Sequence, residues 1–404
     1  MTINNEHNKI NVPNLRFPEF QGEWEKCKLG DVCSFFSGGT PSSSNKDFYG
    51  GNIPFIRSGE LHKEETELFI TQSGYEKSSA KMVEVGDLLL AMYGATSGDV
   101  AISKIKGAIN QAILCIRTKH NNKFIESVWN KHVSKILVKY LQGGQGNLSA
   151  DIVKRISFSF PSLAEQEKIS HLIQLIDKRI STQNKVIDKL QSLIKGMEDN
   201  LLDNPLWKKT YLRSFMQFFP TNSLSWEQLS YKEGAIRNLH YGLIHGFQTR
   251  GINSASLPMI KNEAVPKQYM LCQVGDVAFA DASEDTGEIA KSVEFVDTIE
   301  GDTICGLHTI HGRDIKNRTV VGFKGFAFNS RYFHNQIKRL AQGTKVFSIT
   351  ANNLSSCYVY LPDLDTQKAI VNLLKTYEAK LLVSKRLLEH YEKQKQYLLR
   401  QMFI

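Results

Sequence analysis

The run Ser37-Gly-Gly-Thr-Pro-Ser-Ser-Ser-Asn-Lys46 sets small hydroxyls and backbone amides beside a lysine. Hydroxyls and amides hydrogen-bond base edges and a lysine neutralises phosphate, so Thr40, Ser42, Ser43 and Lys46 have the chemistry of a nucleic-acid contact. The same run reads equally as a flexible turn. Farther along, Tyr241, His245, Gln248 and Arg250 collect in one glycine-punctuated segment. Their donors and acceptors suit bases too, while any single one reads equally as part of a solvated loop.

Catalytic signatures are missing where they would be sought. The sequence holds no GxxxxGK[ST], HExxH or GxSxG string and no NPPY-like tetrapeptide, and Gly94-Ala-Thr-Ser-Gly98 is too short to cradle phosphates. Pro362-Asp363 with Glu378-Ala379-Lys380 has the letters of a metal-dependent nuclease. Such a site gathers its carboxylates around one ion, whereas Glu378 and Lys380 fall on a helical seam beside Tyr377 and Leu381, so the string reads as coincidence. The six cysteines, at 27, 33, 115, 272, 305 and 357, show neither CxxC pairs nor a zinc-like histidine spacing; free buried thiols and no metal are the expectation.

These residues must be held by a frame, and the chain contains that frame twice. Pro161, Leu163 and Gln166 open one long heptad segment, and Pro362, Leu364 and Gln367 open another 201 residues later. The first seam runs Ile169, Ile173, Ile176, Ile180, Gln183, Ile187, Leu190, Ile194, Met197, Leu201 in alternating steps of four and three, a coiled-coil period. At the same offset the second reads Ile370, Leu374, Tyr377, Leu381, Ser384, Leu388, Tyr391, Lys395, Leu398, Met402, interrupted by one charge. Flanking landmarks recur in order: Trp24-Glu25 with Trp226-Glu227, Val85-Gly86-Asp87 with Val274-Gly275-Asp276, and Gln142-Gly143 with Gln342-Gly343.

Connectivity sets the helix direction. Each helix of about 39 residues is roughly 58 Å long, and the second globular module begins where the first helix ends and finishes where the second begins. An antiparallel pair brings those two ends together, as domain termini usually are. Gln183 and Ser384 then meet near the middle, either as tolerated polar residues or as a register lock. Off the seam, Leu172, Leu175, Val186, Leu193, Leu373, Leu382, Leu387 and Leu399 are more apolar surface than two helices bury, so either a partner or the modules cover it.

Each module alternates short β-rich runs with glycine turns, as in the stretch from Asp87 to Tyr93, in Val277-Ala-Phe-Ala and in Thr319-Val-Val-Gly-Phe, with helices expected near Lys123 to Leu141 and Asn329 to Leu340. Composition agrees: 404 residues, 41% hydrophobic and 10% aromatic, fill two ordinary cores. Apolar runs fall far short of the roughly 20 residues of a membrane span, and Met1 to Asn14 is a polar, Asn-rich leader without a signal core. Cytoplasmic residence is expected. A net charge of +9 favours an anionic partner.

In this order, duplicated, the residues resemble the specificity subunits of type I restriction-modification systems over essentially the whole chain after the leader. The resemblance is carried by Leu15-Arg-Phe-Pro-Glu-Phe with Trp24, Gly38-Gly-Thr-Pro-Ser42, Asn52-Ile-Pro-Phe55, Gly86-Asp87, Asn110-Gln111 and Pro161-Ser-Leu-Ala-Glu-Gln166. The second half departs from it, lacking Gly-Gly-Thr-Pro and the Glu before Gln367. The fold implied is α+β: two tandem mixed target-recognition domains, separated by two long helices packed as an antiparallel coiled coil in a pseudo-two-fold repeat. The boundaries expected are a leader at 1–14, domains at 15–160 and 204–361, and spacer helices at 161–203 and 362–404.

The function implied is a non-catalytic DNA specificity subunit of a complex that methylates adenine and cleaves DNA. Each domain reads one half of a bipartite, asymmetric site in double-stranded DNA, with the helices as a ruler that also docks two methyltransferase (modification) subunits beside two restriction subunits. The helix length, about 17 base pairs, bounds the separation from above. No cofactor is expected in this chain; S-adenosylmethionine, ATP and Mg belong to the partner subunits. Under this resemblance the DNA-binding candidates are Thr40, Ser42, Ser43, Lys46, Arg57, Tyr93, Gln145 and Asn147, then Tyr241, His245, Gln248, Arg250, Ser283 and Lys345. The seam residues Ile173, Ile176, Ile180, Gln183, Ile187, Leu374, Leu381, Ser384 and Leu388 are the helix contacts. His308 and His311 read first as satisfied structural histidines. The alternative is a non-enzymatic coiled-coil scaffold whose modules bind proteins, insensitive to duplex DNA.

Overall fold

The computed structural model describes residues 11–141, 147–247, 250–297 and 301–404. It divides into two compact units, Met1–Thr182 with Leu388–Ile404, and Gln183–Leu387. Among the described residues no helix is long and apolar enough to cross a membrane.

In the first unit, strand β1 (Cys33–Ser37) leads to β2 (Tyr49–Ile56), β3 (Leu88–Ala91), β4 (Val100–Ile102), β5 (Gly107–Ile109) and β6 (Ile113–Thr118). One sheet has the antiparallel order β1-β6-β3-β4, and a second contains the parallel pair β2 and β5. Helix α1 (Asn122–Leu141) packs over β4. Long helix α2 (Leu163–Leu202) starts two residues after Pro161, with the Ser162 hydroxyl accepting from the Glu165 amide at 3.3 Å.

The second unit repeats this frame. Strands β7 (Met216–Phe219), β9 (Val277–Ala280), β10 (Ser292–Phe295) and β12 (Thr309–Asp314) lie in the order β7-β12-β9-β10, while β8 (Arg237–Leu239) runs parallel to β11 (Thr303–Cys305). Helix α3 (Arg331–Leu340) precedes the last strand, and α4 (Leu364–Met402) closes the chain, capped by Asp363, whose carboxylate accepts from the amide and the hydroxyl of Thr366 at 2.8 Å each. That use of Asp363 settles the nuclease-like string: Glu378 sits 15 residues along the same helix, roughly 22 Å away by helical rise.

Two sequence expectations are corrected. Thr319-Val-Val-Gly-Phe is not a strand but the turn into a short helix at Phe323–Ala327. The amide and hydroxyl of Thr319 are taken by the Asp314 carboxylate, the Val320 amide by Gln367, and Gly322 adopts φ 95°, so no ladder can form there. The counterpart of Trp24 is Trp207 rather than Trp226. Trp24 directly precedes Glu25–Lys28, which pairs with Ser157–Phe160, and Trp207 directly precedes Lys208–Tyr211, which pairs with Tyr358–Leu361. Trp226 instead begins a short turn and is 46% exposed.

The helices run antiparallel, and each unit shows it independently. The first core joins Trp24, Phe124 and Trp129 to Ile169 and Ile173 from the start of α2 and to Met402 and Phe403 from the end of α4. The second joins Phe279, Phe323 and Phe333 to Leu202 from the end of α2 and to Ile370 and Leu374 from the start of α4. Full burial of such a side chain stabilises by roughly 1.5–3 kcal/mol. The charge that interrupts the second seam is paired: Lys395 lies 2.7 Å from Asp177, which also receives Lys123 at 2.6 Å.

Two glutamines carry the repeat into the hydrogen bonding. Gln166, fully buried, donates to the Pro161 carbonyl at 2.9 Å and accepts from the Asn121 amide at 3.2 Å. Gln367, also fully buried, donates to the carbonyls of Pro362 and Arg318 at 3.0 Å and accepts from Val320. Glu165 has no counterpart for a physical reason: it is buried against Arg16 at 2.7 Å, in the amino-terminal segment.

Candidate nucleic-acid interface

In the first unit, four loops emerge at one end of the paired sheets. Gly38 and Gly39 are buried because the chain crosses the end of β5 there; a side-chain carbon on Gly38 would lie 1.8 Å from the Ile109 carbonyl oxygen. That crossing presents Thr40, whose hydroxyl is bonded to the Gln111 side chain. The Asn110 amide donates to Ile56 at 3.3 Å, which brings Arg57 alongside, and the Met92 amide donates to Ala112 at 2.8 Å, which adds Tyr93. Leu148 bonds Met92 at 2.9 Å and so places Asn147 next to Tyr93. Ser42, Ser43 and Lys46 are exposed beyond Thr40, in a turn where Asn45 accepts from the Asp47 amide at 3.1 Å.

Arg57 is exposed but already engaged, 2.9 Å from Glu60 and 3.4 Å from Glu67. Burial opposes ionisation of Glu60, yet hydrogen bonds from Arg57 and Thr66 outweigh it and lower its pKa to about 2. Gln145 lies outside the described residues.

The second unit presents other chemistry from the same places. After β7, Thr221 donates to the Thr309 carbonyl at 2.9 Å and Asn222 to that of Cys305 at 2.8 Å. The residues after β8 are His240 and Tyr241, where the first unit has Arg57 and Ser58. Here the rings form a row: Trp226 to His240 at 4.5 Å, His240 to Tyr241 at 4.8 Å, and Tyr241 edge-on to His308 at 5.3 Å. His308 is exposed, 3.1 Å from Asp281, and holds φ 52°. Ser283 faces Phe347 across a two-residue ladder, so the turn carrying exposed Lys345 comes beside it.

Other candidates are placed elsewhere. His245 lies 3.1 Å from Glu288. Arg250 turns to the helices, 3.9 Å from Glu198 on α2, and Gln248 lies outside the described residues. His311 is buried and bonded through Nε2 to Asp276 at 2.7 Å, so it stands inside the unit rather than on the edge. Sequence reading missed Gln111, Asn222 and the Trp226–His240 contact as parts of these edges, because strand pairing across tens of residues assembles them.

The two edges rest on equivalent supports. Asp87 accepts from the Glu84 amide at 2.9 Å and binds Arg117 at 2.6 Å; Asp276 accepts from the Gln273 amide at 2.8 Å and binds Arg313 at 2.7 Å. Burial is the largest single effect and raises both aspartates, but the arginine and turn-amide hydrogen bonds, joined by His311 at Asp276, together outweigh it and keep both below the usual carboxylate range. Gly86 and Gly275, at φ 98° and 88°, make the turns.

Along the seam, Ile173, Ile176 and Ile187 are buried, Leu374 is buried, and Ile180, Gln183, Leu381, Ser384 and Leu388 are partly buried. Leu172 and Leu399 pack against the first core, whereas Leu175, Val186, Leu193, Leu373 and Leu387 stay exposed.

Residues 21–192 match the family model of the type I restriction modification DNA specificity domain. The chain is 24% identical to the MjaVIII type I restriction enzyme specificity subunit of Methanocaldococcus jannaschii, across 98% of this chain and 95% of that one. It is 26% identical to the EcoR124I/EcoR124II specificity subunit of Escherichia coli over 44% of this chain and 45% of that one. Its fold matches the crystal structure of a type I restriction-modification S subunit from M. genitalium with a TM-score of 0.61 at 13% identity, covering 97% and 99% of the two chains.

Proposed function

We propose that this chain, a specificity subunit of the type I restriction-modification family, reads a bipartite, asymmetric DNA sequence with one recognition domain on each half. The observation that carries this reading is that one strand frame, built twice, displays unlike side chains at equivalent edges: Thr40, Arg57, Tyr93 and Gln111 in one unit, Asn222, Tyr241, Ser283 and His308 in the other. Hydroxyls and amides serve base edges in the major groove, and exposed Lys46 and Lys345 serve phosphates. Equal frames with unequal edges suit a site whose halves differ.

The exposed apolar residues of the helices, Leu175, Val186, Leu193, Leu373 and Leu387, support their role as the docking surface for two methyltransferase subunits. The chain supplies specificity and no catalysis. S-adenosylmethionine, ATP and Mg act on the partner methyltransferase and restriction subunits.

Mapping methylated adenines across the host genome, with and without the gene, tests the proposal. One motif with two unlike halves and a fixed gap should vanish on deletion; an unchanged methylation map would overturn it.

A further inference from the structure

Three ligand-type side chains converge inside the second unit where the first has an apolar core. Cys272, Cys305 and His311 are at most 6% exposed, and one ligand atom from each lies within 4.8 Å of the other two. The two sulfurs are 3.6 Å apart. The three come from separate segments: the stretch before β9, the end of β11 and the middle of β12.

The repeated frame identifies their counterparts. Gly275 answers Gly86, so Cys272 takes the place of Val83. Cys305 pairs with Leu239 as Ile109 pairs with Ile56, and His311 faces Ala278 as Cys115 faces Leu89. Val83, Ile109 and Cys115 share one apolar cluster. The fold therefore closes here without a second thiol or an imidazole.

We propose that Cys272, Cys305 and His311 form a structural site for a thiophilic divalent cation of the zinc class. Two thiolates and an imidazole are a soft donor set that suits Zn2+. Ligands at about 2.3 Å around a tetrahedral ion place two sulfurs roughly 3.7 Å apart, close to the spacing found, and the remaining closure is about 1 Å. His311 is oriented as metal-bound histidines are, with Nε2 held 2.7 Å from Asp276, itself fixed by Arg313. Thr303 supplies a further observation. Among the described residues its buried hydroxyl has no hydrogen-bond partner, and two residues before Cys305 it lies on the same strand face. On binding, each thiol releases its proton to solvent as a sulfur–metal bond forms. The ion ties the β11–β12 turn, which carries His308, to the segment before β9.

The test uses the full chain purified without chelator from zinc-supplemented medium. Elemental analysis should find about one zinc per chain, and cobalt exchange should give a thiolate-to-metal charge-transfer band. Cys272→Val with Cys305→Ile, which restores the side chains of the first unit, should fold with no zinc and no band, whereas Cys27→Ser should keep both. Less than about a tenth of an equivalent of zinc in the native chain would overturn the proposal, as would native zinc content in the double variant. A thiol count on the denatured, unreduced chain showing Cys272 joined to Cys305 as a disulfide would overturn it too.

Discussion

Gln183 donates from Nε2 to the carbonyl oxygen of Ser384 at 3.0 Å, and Ser384 is its own counterpart 201 residues on. In an antiparallel pair a seam residue meets its repeat equivalent only near the middle of the helices, so with the direction given by the helix ends in each core the contact fixes the register of the seam around it.

Removing that contact should be measurable. Gln183→Ala is expected to cost about 1 kcal/mol in urea denaturation, the usual net value of a partly buried hydrogen bond, while Gln183→Leu, which extends the apolar seam, should cost less. An alanine variant as stable as the native chain would show that the contact sets nothing.

Gln166 and Gln367 are expected to be more costly to change. Each side chain is fully buried, so leucine at 166 removes the partner of the Asn121 amide and the Pro161 carbonyl, and leucine at 367 that of the Val320 amide and the Pro362 and Arg318 carbonyls. We expect losses of roughly 2–4 kcal/mol. Hydrogen exchange should localise the damage, with Gln367→Leu exposing amides around Val320 and Gln166→Leu those around Asn121. Equal exposure at both places in either variant would contradict this.

Glu378 should make the second unit's stability depend on pH. Burial lifts its pKa to about 7 against the pull of Arg250, and Glu198 adds to the lift. The folded value is above the unfolded one, near 4.3, so the folded state holds the proton longer and stability falls as pH rises from about 4.5 through 7. Glu378→Gln removes that loss. It should match the native chain near pH 4.5 and exceed it by about 1 to 2 kcal/mol at pH 8, after allowance for solvent screening. A gain equal at both pH values would disprove the assignment.

The helices and the doubled layout were legible because a seam repeated at three and four residues states its partner and its period together. Val85-Gly86-Asp87 and Val274-Gly275-Asp276 were legible because a positive φ demands glycine and the aspartate closes the turn locally. The partners of those aspartates, Arg117 and Arg313, were not, since they lie 30 and 37 positions away along the chain and strand pairing brings them back. Trp226 misled for the opposite reason: its neighbour Glu227 imitates the Trp24-Glu25 pair, while strand pairing selects Trp207. Arg250 shows the limit for site residues. Its type suits a phosphate, but its place opposite Glu198 is set by tertiary packing that loop composition does not encode.

The most direct measurement is methylation by the assembled complex carrying changes in one recognition domain, read against oligonucleotides varied in each half-site. Tyr241→Ala with His308→Ala should relax or shift the bases required in one half and leave the other half and the spacing as in the native complex; Thr40→Ala with Gln111→Ala should do the reverse. Loss of discrimination in both halves from either pair, in a complex that still assembles and methylates, would contradict the account.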